Sequence, residues 1–330
     1  MTTLFELLQA ARSLGASDLH LAVGKRPMVR LCGLLEPLKD FATLSEGDLV
    51  GYKGLLPEQA QTQLSELGEA DCALAEPAGE RSRVNVYREA CGYAMAIRLL
   101  PKEIPSCEAL GLPASVIGFT ALTQGLVLVT GATGSGKSTT LASLLNKLSK
   151  ERQCHIVTLE EPIEYRYTSA RALVSQREVG QDTLSFASGL RSALREDPDV
   201  ILVGEMRDGE TIGTALAAAE TGHLVFATLH TRDAVGSINR ILDSLPENQA
   251  QVRAQLAECL QGVVAQQLLP RADGTGLVAA FEVLLATDAL RTMIREGRTH
   301  QLPSYLETGS RYGMLTMSAS ISKLRRQGLL

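Results

Sequence analysis

Apolar positions follow a helical period near the start of the chain: Leu4, Leu7, Leu8 and Ala11 share one face and predict a helix over residues 1–14 that stops near Gly15. Asp18-Leu-His-Leu-Ala then begins a strand, residues 28–37 read as a second strand with a turn, and residues 56–68 are helical in pattern. Apolar and polar residues alternate in Asp71–Ala75, Ser82–Arg88 and Tyr93–Leu100, with Pro77-Ala-Gly and Cys91-Gly between them. That pattern predicts antiparallel strands, and the first hundred residues predict a small α+β domain.

Pro101-Lys-Glu-Ile-Pro-Ser-Cys has two prolines and no periodicity, so residues 101–115 are expected to form a linker. From residue 116 to the end a second domain is expected, with strands alternating with helices. Leu126–Val129, His155–Glu160, Val200–Glu205 and Leu224–His230 are short apolar runs, and the last three end on polar residues. Buried parallel strands have this form, with functional groups at their carboxyl ends. After about residue 246 the pattern is mostly helical, over 247–269, 288–296, 303–309 and 316–327, interrupted by a strand-like piece, Gly276–Leu285.

With 330 residues, 45% hydrophobic, the chain has material for two cores. A net charge of −5 speaks against bare nucleic acid as the main partner. No apolar run reaches membrane-spanning length, and the first residues lack the basic region of a signal peptide. Neither membrane insertion nor export is expected. Cys32, Cys72, Cys91, Cys107, Cys154 and Cys259 are scattered without a CxxC pair, which predicts reduced thiols in a cytoplasmic protein and no zinc module.

The densest chemistry lies in Gly131-Ala132-Thr133-Gly134-Ser135-Gly136-Lys137-Ser138-Thr139, between the Leu126–Val129 run and a segment with Leu141, Leu144, Leu145 and Leu148 on one helical face. Strand, glycine-rich loop and helix together make a phosphate-binding loop. The glycines let backbone amides face phosphate oxygens, and the helix start adds partial positive charge. Lys137 would reach the β- and γ-phosphates, and the Ser138 hydroxyl would ligate Mg²⁺. Glu205 ends an apolar strand, where such an enzyme places an acid for Mg²⁺, directly or through water. Glu160, Glu161 and Glu164 crowd another strand exit, and spacing alone does not say which of them orients the attacking water. His223 and His230 bracket one strand and fall at its opposite ends, with His230 on the ligand side. Arg191 and Arg195 form a basic helix face suited to phosphate, to a neighbouring subunit or to ion pairs with Glu196 or Asp197. Arg83 and Arg98 read by themselves as ordinary strand arginines.

The ordered set of Gly15-Ala-Ser-Asp-Leu-His-Leu, the glycine-rich loop, Glu161-Pro-Ile-Glu, Gln176-Arg-Glu-Val, Ala193-Leu-Arg-Glu-Asp-Pro-Asp, Gly204-Glu-Met-Arg-Asp, Ala219-Glu-Thr-Gly-His and Thr228-Leu-His-Thr resembles the PilT-like type IV pilus retraction ATPases of the type II/IV secretion ATPase superfamily. The resemblance implies a PAS-like N-terminal domain, a RecA-like ATPase domain with a helical C-terminal part, and a homohexameric ring. It implies Glu164 as the catalytic glutamate, Glu205 as the Walker B acid, and His223 and His230 as the His-box pair. It also implies Arg83 and Arg98 as arginines that reach nucleotide. The expected activity is Mg²⁺-dependent ATP hydrolysis that powers pilus retraction, in the cytoplasm and peripheral to the inner membrane. The expected partners are an inner-membrane platform protein and a sister pilus ATPase. Two departures stand out: Glu161 where the family has Asp, and Ala289-Leu-Arg-Thr-Met-Ile294 where an AIRNLI-type motif is usual. A related secretion, conjugation or DNA-translocating motor, and a non-hydrolysing ATP-binding subunit of a sister motor, are the alternatives.

Overall fold

Thirteen strands in two sheets organise the computed structural model, which describes residues 2–31, 33–77, 79–274 and 276–330. The chain divides into two units, Met1–Glu103 and Ile104–Leu330.

In the first unit α1 (Leu4–Ser13) starts where Thr3 and Glu6 satisfy each other's backbone N–H groups, a cap that contributes about 1 kcal/mol. Leu4, Leu7 and Leu8 of this helix pack in one core with α2 (Glu46–Lys53) and α3 (Glu58–Leu67). The same core takes Leu19, Val29, Val84 and Ile97 from one face of an antiparallel sheet. That sheet runs β3-β2-β1-β6-β5-β4, where β1 is Asp18–Ala22, β2 Met28–Leu31, β3 Leu34–Pro37, β4 Glu69–Ala75, β5 Arg81–Glu89 and β6 Gly92–Leu99. The strand with a turn expected over 28–37 is an antiparallel pair, β2 and β3, and Cys32 lies outside the described residues. The sequence pattern also missed α2, whose apolar face is only Leu49 and Tyr52.

The second unit takes in most of the expected linker. Cys107, Leu112 and Val116 are buried with its core, the last in the short helix α4 (Ala114–Ile117). Its sheet runs β13-β12-β7-β11-β10-β8-β9, all parallel except β13. The strands are β7 (Gly125–Thr130), β8 (His155–Glu160), β9 (Leu173–Glu178), β10 (Val200–Val203), β11 (Leu224–Leu229), β12 (Leu260–Pro270) and β13 (Leu277–Leu285). Every residue of β7, β10 and β11 is buried, because helices cover both faces. One face packs on α5 (Lys137–Glu151), the other on α6 (Phe186–Ala193), α7 (Gly209–Glu220), α8 (Ala234–Asp243) and α9 (Gln249–Cys259). This is the RecA-like arrangement, and α10 (Asp288–Arg295), α11 (Leu302–Thr308) and α12 (Met317–Arg326) complete it.

One expectation fails clearly. The helix foreseen over 247–269 ends at Cys259, and Leu260 onward is β12, hydrogen-bonded to β7 and β13. Val263, Val264 and Ala265 are buried between neighbours on both sides. Such a central strand lacks the alternation that marks half-exposed strands, and tertiary burial outweighs local pattern.

Among the described residues Cys91, Cys107, Cys154 and Cys259 are free thiols. Among the described residues no helix is long and apolar enough to cross a membrane.

Candidate functional site

The phosphate-binding loop leaves β7 at Gly131 and enters α5 at Lys137. Gly131 has φ 149°, and a Cβ there would lie 2.5 Å from both the Gln266 carbonyl and Ser135 Oγ. Gly136 has φ 85°, and a Cβ there would meet the Gln266 side-chain nitrogen at 2.8 Å. Any side chain at either position is therefore excluded. Gln266, buried on β12, supports the loop from beneath. It accepts from Thr140 Oγ1 at 2.7 Å and donates to the Ser135 carbonyl at 2.7 Å. Thr130 Oγ1 and Ser135 Oγ are buried hydroxyls without a hydrogen-bond partner, polar atoms of the kind a bound anion satisfies.

Lys137 folds back on its own loop and donates to the carbonyls of Gly131 at 2.8 Å and Ala132 at 3.0 Å. Burial lowers its pKa, and the charges of Glu205 and Glu164 oppose that shift. Ala132, Thr133, Gly134 and Ser138 are exposed at the mouth of the loop, and Thr139 is half-buried.

Glu205 emerges from β10, two strands from the loop, and β11 between them delivers His230. His230 Nε2 lies 3.3 Å from Glu205 Oε1, and its Nδ1 lies 3.4 Å from Thr133 Oγ1. Arg207 bridges Glu205 Oε2 at 2.8 Å and Glu161 Oε2 at 3.0 Å. Burial alone would raise the Glu205 pKa. The hydrogen bond and charge of Arg207, with His230 and Lys137, bring it below the ordinary value instead. Glu205 is thus held ionised, as a metal ligand must be.

Of the three acids at the end of β8 and just after it, Glu160 points inward. Burial pushes its pKa up to about 7, against hydrogen bonds from Thr158 at 2.7 Å and Gln176 at 3.1 Å. Glu161 pairs with Arg207. Glu164 is half-buried and lies close enough to Lys137 to influence its charge.

The structure separates the two histidines. His223 sits at the amino end of β11, with Nδ1 3.0 Å from the Ala218 carbonyl and Thr221 Oγ1 3.4 Å away. The six residues of β11 stand between it and His230, about 20 Å of strand. Within this unit His223 therefore does not join the phosphate loop.

Arg83 and Arg98 are cross-strand neighbours on the polar face of the first sheet. Arg83 lies 3.5 Å from Asp71 and Arg98 3.1 Å from Asp18, and Asn85 and Ala96 complete a shallow cavity of about 300 Å³. Arg191 pairs with Glu210, while Glu196 is taken by Arg177 at 2.6 Å.

Sequence reasoning missed Arg207, Gln266, Tyr165 and Gln176. Arg207 and Gln176 lie inside motifs quoted above, but only spatial neighbours reveal what they touch. No sequence signal marks Gln266.

Among the described residues no three His, Cys, Asp or Glu side chains gather into a metal cage. Magnesium in phosphate-transfer sites takes one or two protein ligands and completes its shell with phosphate and water. An exposed serine hydroxyl at the helix start and an ionised glutamate fit that demand.

The family model for type II/IV secretion system proteins matches residues 83–305. The chain is 44% identical to the type IV pilus retraction ATPase PilT of Pseudomonas aeruginosa over 331 positions, covering 98% of this chain and 94% of that protein. It is 45% identical to YggR of Escherichia coli, an uncharacterised protein, over 316 positions, covering 95% of each. Among solved structures it is similar to the pilus retraction motor PilT with bound ADP. The TM-score is 0.92 at 45% identity, covering 100% of this chain and 95% of that one.

Proposed function

The chain belongs to the type II/IV secretion system protein family, and on that premise we propose that it is a Mg²⁺-dependent ATPase that powers pilus retraction as a homohexameric ring. The observation that carries this reading is one cluster. Phosphate loop, Lys137, Glu205 and His230 meet at the carboxyl ends of β7, β10 and β11, where ligands bind in open parallel sheets.

In this mechanism the loop amides from Gly131 to Thr139 cradle the phosphates, and Lys137 exchanges its two loop carbonyls for phosphate oxygens. Ser138 and Glu205 would hold Mg²⁺, which would supply charge neutralisation at the phosphates. Glu164 orients the attacking water, and His230 reports on the γ-phosphate through its contacts with Thr133 and Glu205. Arg83 and Arg98 bring cationic charge to the nucleotide, as the resemblance implies. His223, remote from the loop, is assigned to the subunit boundary instead of the phosphates. The motor acts in the cytoplasm, peripheral to the inner membrane, on a platform protein of the pilus machinery, and a sister pilus ATPase is a further partner.

The test is ATP hydrolysis by the purified chain beside Glu164→Ala, with oligomer mass recorded in the same buffer. Magnesium-dependent turnover in a hexamer, lost in the variant, is expected. Tight ATP binding without turnover in a folded hexamer would replace this reading with a regulatory subunit.

A further inference from the structure

The segment that carries Glu164, between β8 and β9, is held from both sides. Ile163 N–H donates to Glu178 Oε2 at 3.1 Å. Beyond Glu164, Gln176 on β9 donates to the Tyr165 carbonyl at 2.8 Å and accepts from Tyr167 N–H at 3.1 Å. The same amide donates to Glu160 at 3.1 Å. These bonds fix the backbone around Glu164 to its own strands. One further bond crosses to the phosphate loop: Tyr165 OH lies 2.9 Å from Thr139 Oγ1 in the first turn of α5.

Tyr165 is 6% exposed, so its ring packs whether or not it carries a hydroxyl. The hydroxyl adds the link to Thr139, the residue after Ser138. Burial, with the nearby Glu164 charge, raises the phenol's pKa against the effect of Thr139. The group stays protonated and the link persists at neutral pH. A water-orienting carboxylate depends on such a link, because a displacement of 1 Å costs up to about 100-fold in rate.

We propose that Tyr165 is a positioning residue for hydrolysis: its hydroxyl, bonded to Thr139, sets the Glu164 loop against the phosphate loop. The proposal rests on the reading of Glu164 given above. Tyr165 touches no reacting atom and acts through its neighbour.

The test uses the full chain with ATP and Mg²⁺ and compares Tyr165→Phe, Thr139→Val, the double variant and Glu164→Gln. Tyr165→Phe is expected to lower kcat about fivefold and to leave the KM for ATP within about twofold. Thr139→Val should lose a similar factor, and the double variant no more than either single change. An unchanged kcat in Tyr165→Phe, a loss expressed in KM, or multiplying losses in the double variant would each overturn the proposal. Wild-type turnover in Glu164→Gln would instead remove the reading of Glu164 itself, whatever Tyr165→Phe does. A second readout needs no turnover. Without nucleotide, amide hydrogen exchange over Ile163–Tyr167 should quicken at least threefold in Tyr165→Phe, and unchanged protection would count against the link.

Discussion

Arg207 donates to Glu205 Oε2 at 2.8 Å, so the acid assigned to magnesium already has a cation beside it. The second acceptor of that guanidinium, Glu161, is the position where a glutamate replaces the family's aspartate. Arg207 is 59% exposed, so solvent screens the pair and its net energy is small, about 1 kcal/mol or less. Arg207→Gln should therefore lower the half-saturating Mg²⁺ concentration only about two- to fivefold. Titrating Mg²⁺ into the chain with a fluorescent ATP analogue measures this, and a weaker Mg²⁺ response would contradict it.

Glu160 gives the stability a pH dependence. Its pKa rises from an ordinary 4.5 to about 7 on folding. Between those values the folded chain binds more protons than the unfolded one, so stability falls as pH rises through the window and levels off above pH 7. The full effect is roughly 3 kcal/mol. Glu160→Gln should raise the Tm at pH 8 and leave it nearly unchanged at pH 5. Thermal unfolding of both proteins at the two pH values checks this.

Gln266→Leu should unsettle the phosphate loop from below. Thr140 Oγ1 and the Ser135 carbonyl each lose a buried partner, at a cost of about 1–3 kcal/mol each. A Tm lower by several degrees is expected, with ATP affinity reduced as well. Calorimetry on the purified variant reads both quantities.

Lys137→Gln should remove turnover, by at least about 100-fold, because no other side chain of the loop carries positive charge. It should also lower stability, since the Gly131 and Ala132 carbonyls lose their donor. Steady-state hydrolysis and thermal unfolding separate the two effects. Normal turnover would show that Lys137 is not the phosphate cation.

Much of this architecture is legible in the sequence because it depends on local rules. A glycine-rich loop between a strand and a helix needs only neighbouring residues, and so does an acid at the end of an apolar run. β12 is not legible, because a strand buried on both faces loses the two-residue alternation and follows α9 without a break. The contact of Arg207 with Glu161 is not legible either. β8 and β10 are adjacent in the sheet, yet 46 positions separate the two residues in the chain. The inward turn of Glu160 depends on Thr158 and Gln176, and a run of three acids in five positions reads by itself as a solvated loop.

β12 also limits how this unit can move. On one side it runs parallel to β7, whose end becomes the phosphate loop; on the other it pairs with β13 from Gly262–Leu285 to Pro270–Leu277. β13 is tied in turn to the C-terminal helix, where Phe281 N–H donates to Ser320 Oγ at 3.0 Å. Nucleotide cradle, central ladder and tail helix thus form one stiff plate, and they cannot shift past one another without breaking buried hydrogen bonds. A movement that pulled the phosphate loop away from the tail helix would first have to break these bonds.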